Sequence, residues 1–226
     1  MTFEPVFSVF RTSSAIFLAC CFAAGTAQAQ GFKFSNPPPG AEAEAAAKAQ
    51  RQEKIWDQLD TPCRGRIKNR KIMVLIGEEK NGYVTASQGS FGRHVDAINS
   101  RLQSLGLKTY SAAQIKSQIA QEEIDAYFKN DPDRALSASK RLAAQYVLKG
   151  VIATQAFRNQ AVNVNQVNVA MNFTLTDAAG RPVSSANAKN ASYAGADVSG
   201  MALTLIEERA GEVVAQLYSD YCKAAK

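Results

Sequence analysis

Catalysis needs reactive side chains brought together, and this chain carries a single histidine, His94, beside Arg93. No Cys or second His stands near it at metal-ligand spacing, and no motif places a Ser or Cys for it to activate. His94 therefore reads as a surface or capping residue and not as a base. The run Gly77-Glu78-Glu79-Lys80-Asn81-Gly82 has the GxxxxG spacing of a phosphate loop, but Tyr83-Val84 follow it. A nucleotide binder needs Lys and Ser or Thr there for the phosphates and Mg²⁺, so the run reads as a loop from strand to helix. Gly89-Ser90-Phe91-Gly92 misses the GxSxG nucleophile elbow and reads as the loop and N-cap before a helix. The pairs Glu122-Glu123 and Glu207-Glu208 fall on predicted helices, where adjacent positions do not face each other; both read as solvated charges. No catalytic residue, metal ligand or cofactor is expected.

Two other groups of residues remain. Arg64, Arg66, Lys68, Arg70 and Lys71 crowd one short stretch. If it is extended, alternation puts Arg64, Arg66, Lys68 and Arg70 on one side, facing lipid phosphates, an anionic wall polymer or an acidic protein. The four cysteines divide into Cys20-Cys21 near the amino end and the distant pair Cys63 and Cys222. Removal of an amino-terminal signal leaves Cys63 and Cys222, which are expected to bond in an oxidising compartment.

That compartment follows from the first residues. Ala15 to Ala24, AIFLACCFAA, is an uncharged apolar run, shorter than the about 20 residues that span a bilayer. Ala27-Gln28-Ala29 then places small residues where a signal peptidase cuts, so residues 1–29 are a signal peptide and the mature chain begins at Gln30. The alternative is a lipoprotein anchored through Cys20 or Cys21, although neither cysteine has the usual flanking residues. With Lys and Arg at 26 against 20 Asp and Glu, and a pI near 9.2, the chain favours anionic neighbours. An exported chain without an aromatic-studded basic motif is not a nucleic-acid binder. No integral membrane protein is expected.

The elements that must position these residues follow from periodicity. Residues 30–40 hold Pro37-Pro38-Pro39 between two glycines and read as a linker. Residues 41–62 form an amino-terminal helix of strong helix formers, stopped by Pro62. Residues 63–226 form a single domain. It starts with a buried strand, KIMVLIG (71–77). A helix follows over Phe91–Gly106, then a short strand over Leu107–Tyr110, a helix capped by Ser111 that carries Ile115 to Phe128, and another from Asp131-Pro132 to Ala144. Strands over Tyr146–Phe157 and Val167–Thr176 come next, with a bulge predicted near Asn165-Gln166 because Val162 and Val164 are out of phase. Asp177–Gly180 turns into a polar strand, Arg181–Tyr193, too poor in large apolar groups to be buried on both faces and so expected at an exposed edge. A long amphipathic helix from Val198 to about Tyr221 closes the chain. The fold class is α+β: a mixed β-sheet with helices laid on one face, order β-α-β-α-α-β-β-β-α, after the amino-terminal helix.

At this level the chain resembles a known family. KIMVLIG as first strand, LAAQYVLKGVI (142–152) as a helix-to-strand segment, NVAMNFTLTDAAGRPV (168–183) as long strand and hairpin, and the alanine-bearing last helix are similar to the periplasmic domain of the curli-secretion protein CsgG, the amino-terminal domain of TolB, the penicillin-binding-protein activator LpoB and a flagellar assembly protein of the envelope. The resemblance covers residues 67–222. It implies a non-enzymatic periplasmic protein that binds envelope proteins as an assembly or regulatory factor. The alternative is an exported small-ligand carrier or enzyme, which would show a pocket with converging polar groups.

Overall fold

A computed structural model describes residues 40–88, 90–129, 131, 137, 140–161 and 163–224. The predicted signal peptide with Cys20 and Cys21, and the linker through Pro39, lie outside the described residues, as does most of the predicted helix after Asp131. In chain order the elements are α1 (Ala41–Leu59), α2 (Arg64–Ile67), β1 (Lys71–Lys80), β2 (Tyr83–Thr85), α3 (Gly92–Ser104), β3 (Lys108–Thr109), α4 (Ala112–Gln118), α5 (Gln121–Phe128), β4 (Tyr146–Asn159), β5 (Val164–Asp177), β6 (Pro182–Tyr193) and α6 (Val198–Ala224).

Among the described residues the strands form one mixed sheet in the order β2-β1-β4-β5-β6, with β3 on the free side of the start of β1. β1 runs parallel to β3 and β4, and β4, β5 and β6 form an antiparallel meander. Residues 72–77 of β1 are all buried, so the strand is covered on both faces. Ile72, Val74 and Ile76 join Val95, Ile98 and Leu102 of α3 and Leu205, Ile206, Val213 and Leu217 of α6 in the main core. Met73 and Leu75 point the other way, into a smaller core with Ile115, Ile119 and Ile124 from α4 and α5. Helices therefore lie on both faces and not on one, because alternate residues of a wholly apolar strand must be covered from opposite sides.

Several local expectations are corrected. The loop read at Gly77–Gly82 is the end of β1 and a tight hairpin into β2: Lys80 pairs with Tyr83, and Asn81 and Gly82 have φ of 54° and 80°. Two positive φ values in a two-residue connection are what an Asn-Gly hairpin turn requires. The helix after Ser111 is two helices, since Ile119 (φ −121°, ψ 128°) and Ala120 are extended before Gln121 starts α5. No bulge interrupts β5 at Asn165-Gln166; its pairing with β4 is continuous from Asn159↔Val164 to Tyr146↔Asp177. Residues 155–158 of β4 are exposed on both faces, so this end of the hairpin has no buried side to enforce a phase. The irregularity lies instead where β5 meets the start of β6, between Leu175 and Thr176. Gly150 stands opposite Phe173, whose ring occupies the space a Cβ would fill.

One side chain completes β1. Gln88, 1% exposed, accepts the Ile76 N–H at its Oε1 (3.2 Å) and donates from Nε2 to the carbonyls of Ile76 (2.8 Å) and Ala86 (2.9 Å). A single amide thus substitutes for a neighbouring strand between the stretches paired by β3 and β2. Gln88→Leu strands the buried Ile76 N–H and carbonyl, and is expected to lower the unfolding free energy by about 3 kcal/mol in urea titration. A loss under about 0.5 kcal/mol would contradict this role.

Candidate interaction surfaces

The start of the domain is fastened to its end. Cys63 and Cys222 form a disulfide with Cα atoms 5.5 Å apart. Around it, the Tyr218 hydroxyl donates to the Thr61 carbonyl, and Arg66 Nη2 donates to the Cys222 carbonyl (2.9 Å). Gln58 Nε2 donates to Gln216 Oε1 (2.8 Å), tying the end of α1 to α6. In the chain-entropy picture, closing a loop with a sequence separation of 159 stabilises the fold by about 5 kcal/mol.

The basic segment starts at this fastening, but it is not extended. Arg64–Ile67 is a helical turn, with the Lys68 N–H donating to the Arg64 carbonyl at 3.0 Å. The alternation predicted for Arg64, Arg66, Lys68 and Arg70 is lost, and Arg66 serves the disulfide corner. The chain is drawn into the turn because Ile67 must reach the core that holds Cys63. What the structure brings together is a different set. The Asn69 N–H donates to the Gly106 carbonyl (2.8 Å), the Lys108 N–H donates to the Arg70 carbonyl (2.8 Å), and Lys71 pairs with Lys108 in β1–β3. Lys68, Arg70, Lys71 and Lys108 are thus exposed on two adjoining backbones. None of the four has an ion pair among the described residues. Lys108 was not legible as a member, since it lies far along the sequence and only the parallel pairing delivers it.

Below this corner is an apolar cavity of ≈ 40 Å³, room for a few waters at most. Its buried lining includes Ile72, Leu102, Leu148 and Leu217, and the partly exposed Tyr146 and Tyr221 lie toward solvent. Their rings meet edge to face at 5.5 Å and their hydroxyls share a hydrogen bond of 3.0 Å. Burial, and then the bond to Tyr221, push the Tyr146 phenol up to about 12. Convergent polar groups of the kind expected for a small-ligand carrier or enzyme do not line this cavity. No group of three His, Cys, Asp or Glu able to hold a metal occurs among the described residues.

β6 takes the edge position, paired only with β5 among the described residues. Part of its outer side is occupied by its own helix. Arg209 of α6 donates from Nε (3.0 Å) and Nη2 (2.7 Å) to the Lys189 carbonyl and is held by Glu212 at 2.8 Å. The Ala191 N–H donates to Asn190 Oδ1 (3.1 Å), and Asn190 Nδ2 donates to Glu208 Oε2 (2.9 Å). Lys189 and Ala191 thus have edge groups satisfied by side chains, a device that blunts strand pairing. Glu208 is accordingly more than a solvated charge. So is Glu123, which accepts the Ala120 N–H (3.2 Å), the Ser137 hydroxyl (3.0 Å) and an ion pair from Arg141 (3.1 Å).

Beyond the helices on the second face, half the sheet has no cover among the described residues. The covering by α5 ends where Lys149 Nζ donates to the Tyr127 carbonyl (3.1 Å). Further along, cross-strand pairing lines up Val151–Asn172–Asn187, Ala153–Ala170–Lys189, Gln155–Asn168–Ala191 and Phe157–Gln166–Tyr193 in successive rows. Phe157 and Tyr193 are 47% and 53% exposed.

His94 is half-buried on α3, neither a surface residue nor a cap: the N-cap is Phe91, which makes no side-chain capping bond, and the His94 ring meets that of Phe91 edge-on at 5.7 Å. Burial holds its pKa below the ordinary value, with Glu78 raising it, Arg93 lowering it and Glu207 raising it in decreasing measure.

No family model matches the chain, and no curated protein matches it. It is similar to three solved structures, among others. The lipoprotein GNA1162 from Neisseria meningitidis is 15% identical over 61% of this chain and 92% of that one, with a TM-score of 0.44. The hypothetical protein CT253 from Chlamydia trachomatis is 13% identical over 69% and 99%, with a TM-score of 0.46. The LpoB C-terminal domain from Salmonella enterica is 14% identical over 62% and 94%, with a TM-score of 0.37. No helix of the described residues is long and apolar enough to cross a membrane.

The His94 environment carries a testable sign. With its folded pKa depressed, His94 takes up a proton more readily in the unfolded chain, so stability falls as pH drops through the ordinary imidazole value near 6.5 and levels off below the folded one. Urea midpoints between pH 7.5 and pH 5 are expected to drop less for His94→Gln than for the parent chain. Equal drops would contradict the assignment.

Proposed function

We propose that this chain is an exported, non-enzymatic factor of the bacterial cell envelope that binds another envelope protein through the cationic corner Lys68, Arg70, Lys71 and Lys108. One observation carries the reading: these four exposed cations are gathered on two hydrogen-bonded backbones, with Lys71 paired opposite Lys108, and have no carboxylate partner among the described residues. Folding gains little from such unpaired like charges, whereas their summed field would attract an acidic partner. The disulfide and Arg66 fix the backbone of the corner on the core, so the ordering cost of binding falls on the side chains and not on the chain. The sequence resemblance to the family of CsgG, TolB and LpoB supports an assembly or regulatory role. The export signal read at 1–29 supports the periplasm as its place of action, with anchoring through Cys20 or Cys21 as the alternative.

Charges of this kind act mostly on the rate of encounter, and their reach is cut to about 8 Å at physiological salt. Replacing Lys68, Arg70, Lys71 and Lys108 by Ser is expected to slow association with the captured envelope partner about tenfold at low salt, to remove most of its salt dependence, and to leave the melting temperature nearly unchanged. Association rates insensitive to both the substitutions and the salt would reject the corner as the docking surface.

A further inference from the structure

The half of the second sheet face without cover among the described residues has a composition unlike that of a protein-docking patch. Its rows hold amides at Gln155, Gln166, Asn168, Asn172 and Asn187, and small residues at Ala153, Ala170 and Ala191. Gln155, beside the aromatic row, and Asn172 and Asn187, two rows further on, are exposed and make no side-chain hydrogen bond among the described residues, so each offers both donors and an acceptor. The alanines leave a shallow trough of ≈ 530 Å³ between the longer side chains. Charge is nearly balanced: the alanine row is flanked by Glu79 on one side and Lys189 on the other. The two exposed aromatics stand in one row with Gln166 between them, two strand spacings or about 10 Å apart.

We propose that the Phe157–Gln166–Tyr193 row, with the trough beside it, binds an uncharged β-linked oligosaccharide lying across the strands. Sugar rings present an apolar C–H face that stacks on aromatic side chains and an edge of hydroxyls, each a donor and an acceptor. Amides match such hydroxyls because each offers both functions on one planar group. An equatorially linked chain is a flat ribbon, which suits a sheet face, and its disaccharide length is close to the separation of Phe157 and Tyr193. The stacking ends are therefore set one repeat apart, with Gln166 between them and Asn168 in the next row, whose long mutual contact (Nε2 to Oδ1, 3.4 Å) leaves further donors and acceptors for the hydroxyls. An anionic polymer has one cation, Lys189, to meet in these rows and would go to the cationic corner instead. The site is distinct from that corner, so either assignment can fail alone.

The probe is chitotetraose titrated into the full purified chain, followed by calorimetry and by amide chemical shifts, with maltotetraose as the control of the opposite linkage geometry. Chitotetraose is expected to bind, to shift the amides of β4–β6 and to outcompete maltotetraose. Phe157→Ala and Tyr193→Ala, both at exposed positions, should each weaken it at least tenfold with an unchanged melting temperature. Asn168→Ala provides a second test on the hydroxyl side, also with a loss. The proposal is overturned if chitotetraose does not bind, if maltotetraose binds equally well, if the aromatic variants bind as the parent does, or if the face proves instead to hold a protein partner that these variants release.

Discussion

β1 is apolar on both faces, and the remaining architecture answers to that condition. A strand whose residues 72–77 are all buried must be covered from two sides, which draws α3 and α6 to one face and α4 and α5 to the other. It must also have its backbone groups paired on both edges. β4 satisfies one edge; β3, Gln88 and β2 divide the other among them. Among the described residues α4 and α5 are short and extend only as far as β1 and the start of β4, leaving the long meander of β4, β5 and β6 open on that side. The surfaces available for binding are thus those this covering does not use.

Both sides of the sheet show the same management of strand edges. Gln88 closes β1 from within the core, and Arg209 with Asn190 occupies part of the outer side of β6. Side chains that occupy backbone groups keep a sheet from pairing with a neighbour without adding a strand. The edge expected from the polar sequence of β6 is therefore an edge in position, yet blocked over Lys189 to Ala191. Over that stretch side chains, not a neighbouring strand, meet the backbone, and the proposed binding surfaces lie elsewhere.

Much of the fold was legible because burial imposes a period. The apolar run at 71–77, the alternation of Val167 to Leu175 and the helical spacing of Phe91 to Leu105 each state which side is covered. The failures occur where burial is weak or where partners are remote. Val164 broke the alternation because the hairpin end is exposed on both faces. The Asn81-Gly82 turn was visible as a dipeptide, but the charges of Glu78, Glu79 and Lys80 disguised the strand before it, which is exposed there and needs no apolar signal. For the candidate site, the residues from Arg64 to Lys71 were evident as a charge cluster. Their geometry was not, since a helical turn at Arg64–Ile67 and the pairing of Lys71 with Lys108 depend on tertiary contacts. Gln88 and Arg209 left no signal at all, because a polar residue serving a remote backbone group resembles any surface residue.

The central claim is that a partner is held at the corner where Lys71 pairs with Lys108, on the disulfide-fastened side of the domain. Its most direct measurement is site-specific photo-crosslinking in intact cells, with a photoreactive amino acid placed at Lys108 and, as the reference, at exposed Glu122 on α5. A discrete adduct with one envelope protein from position 108, and none from position 122, is the result expected. No adduct from position 108, or the same adducts from both positions, would contradict it.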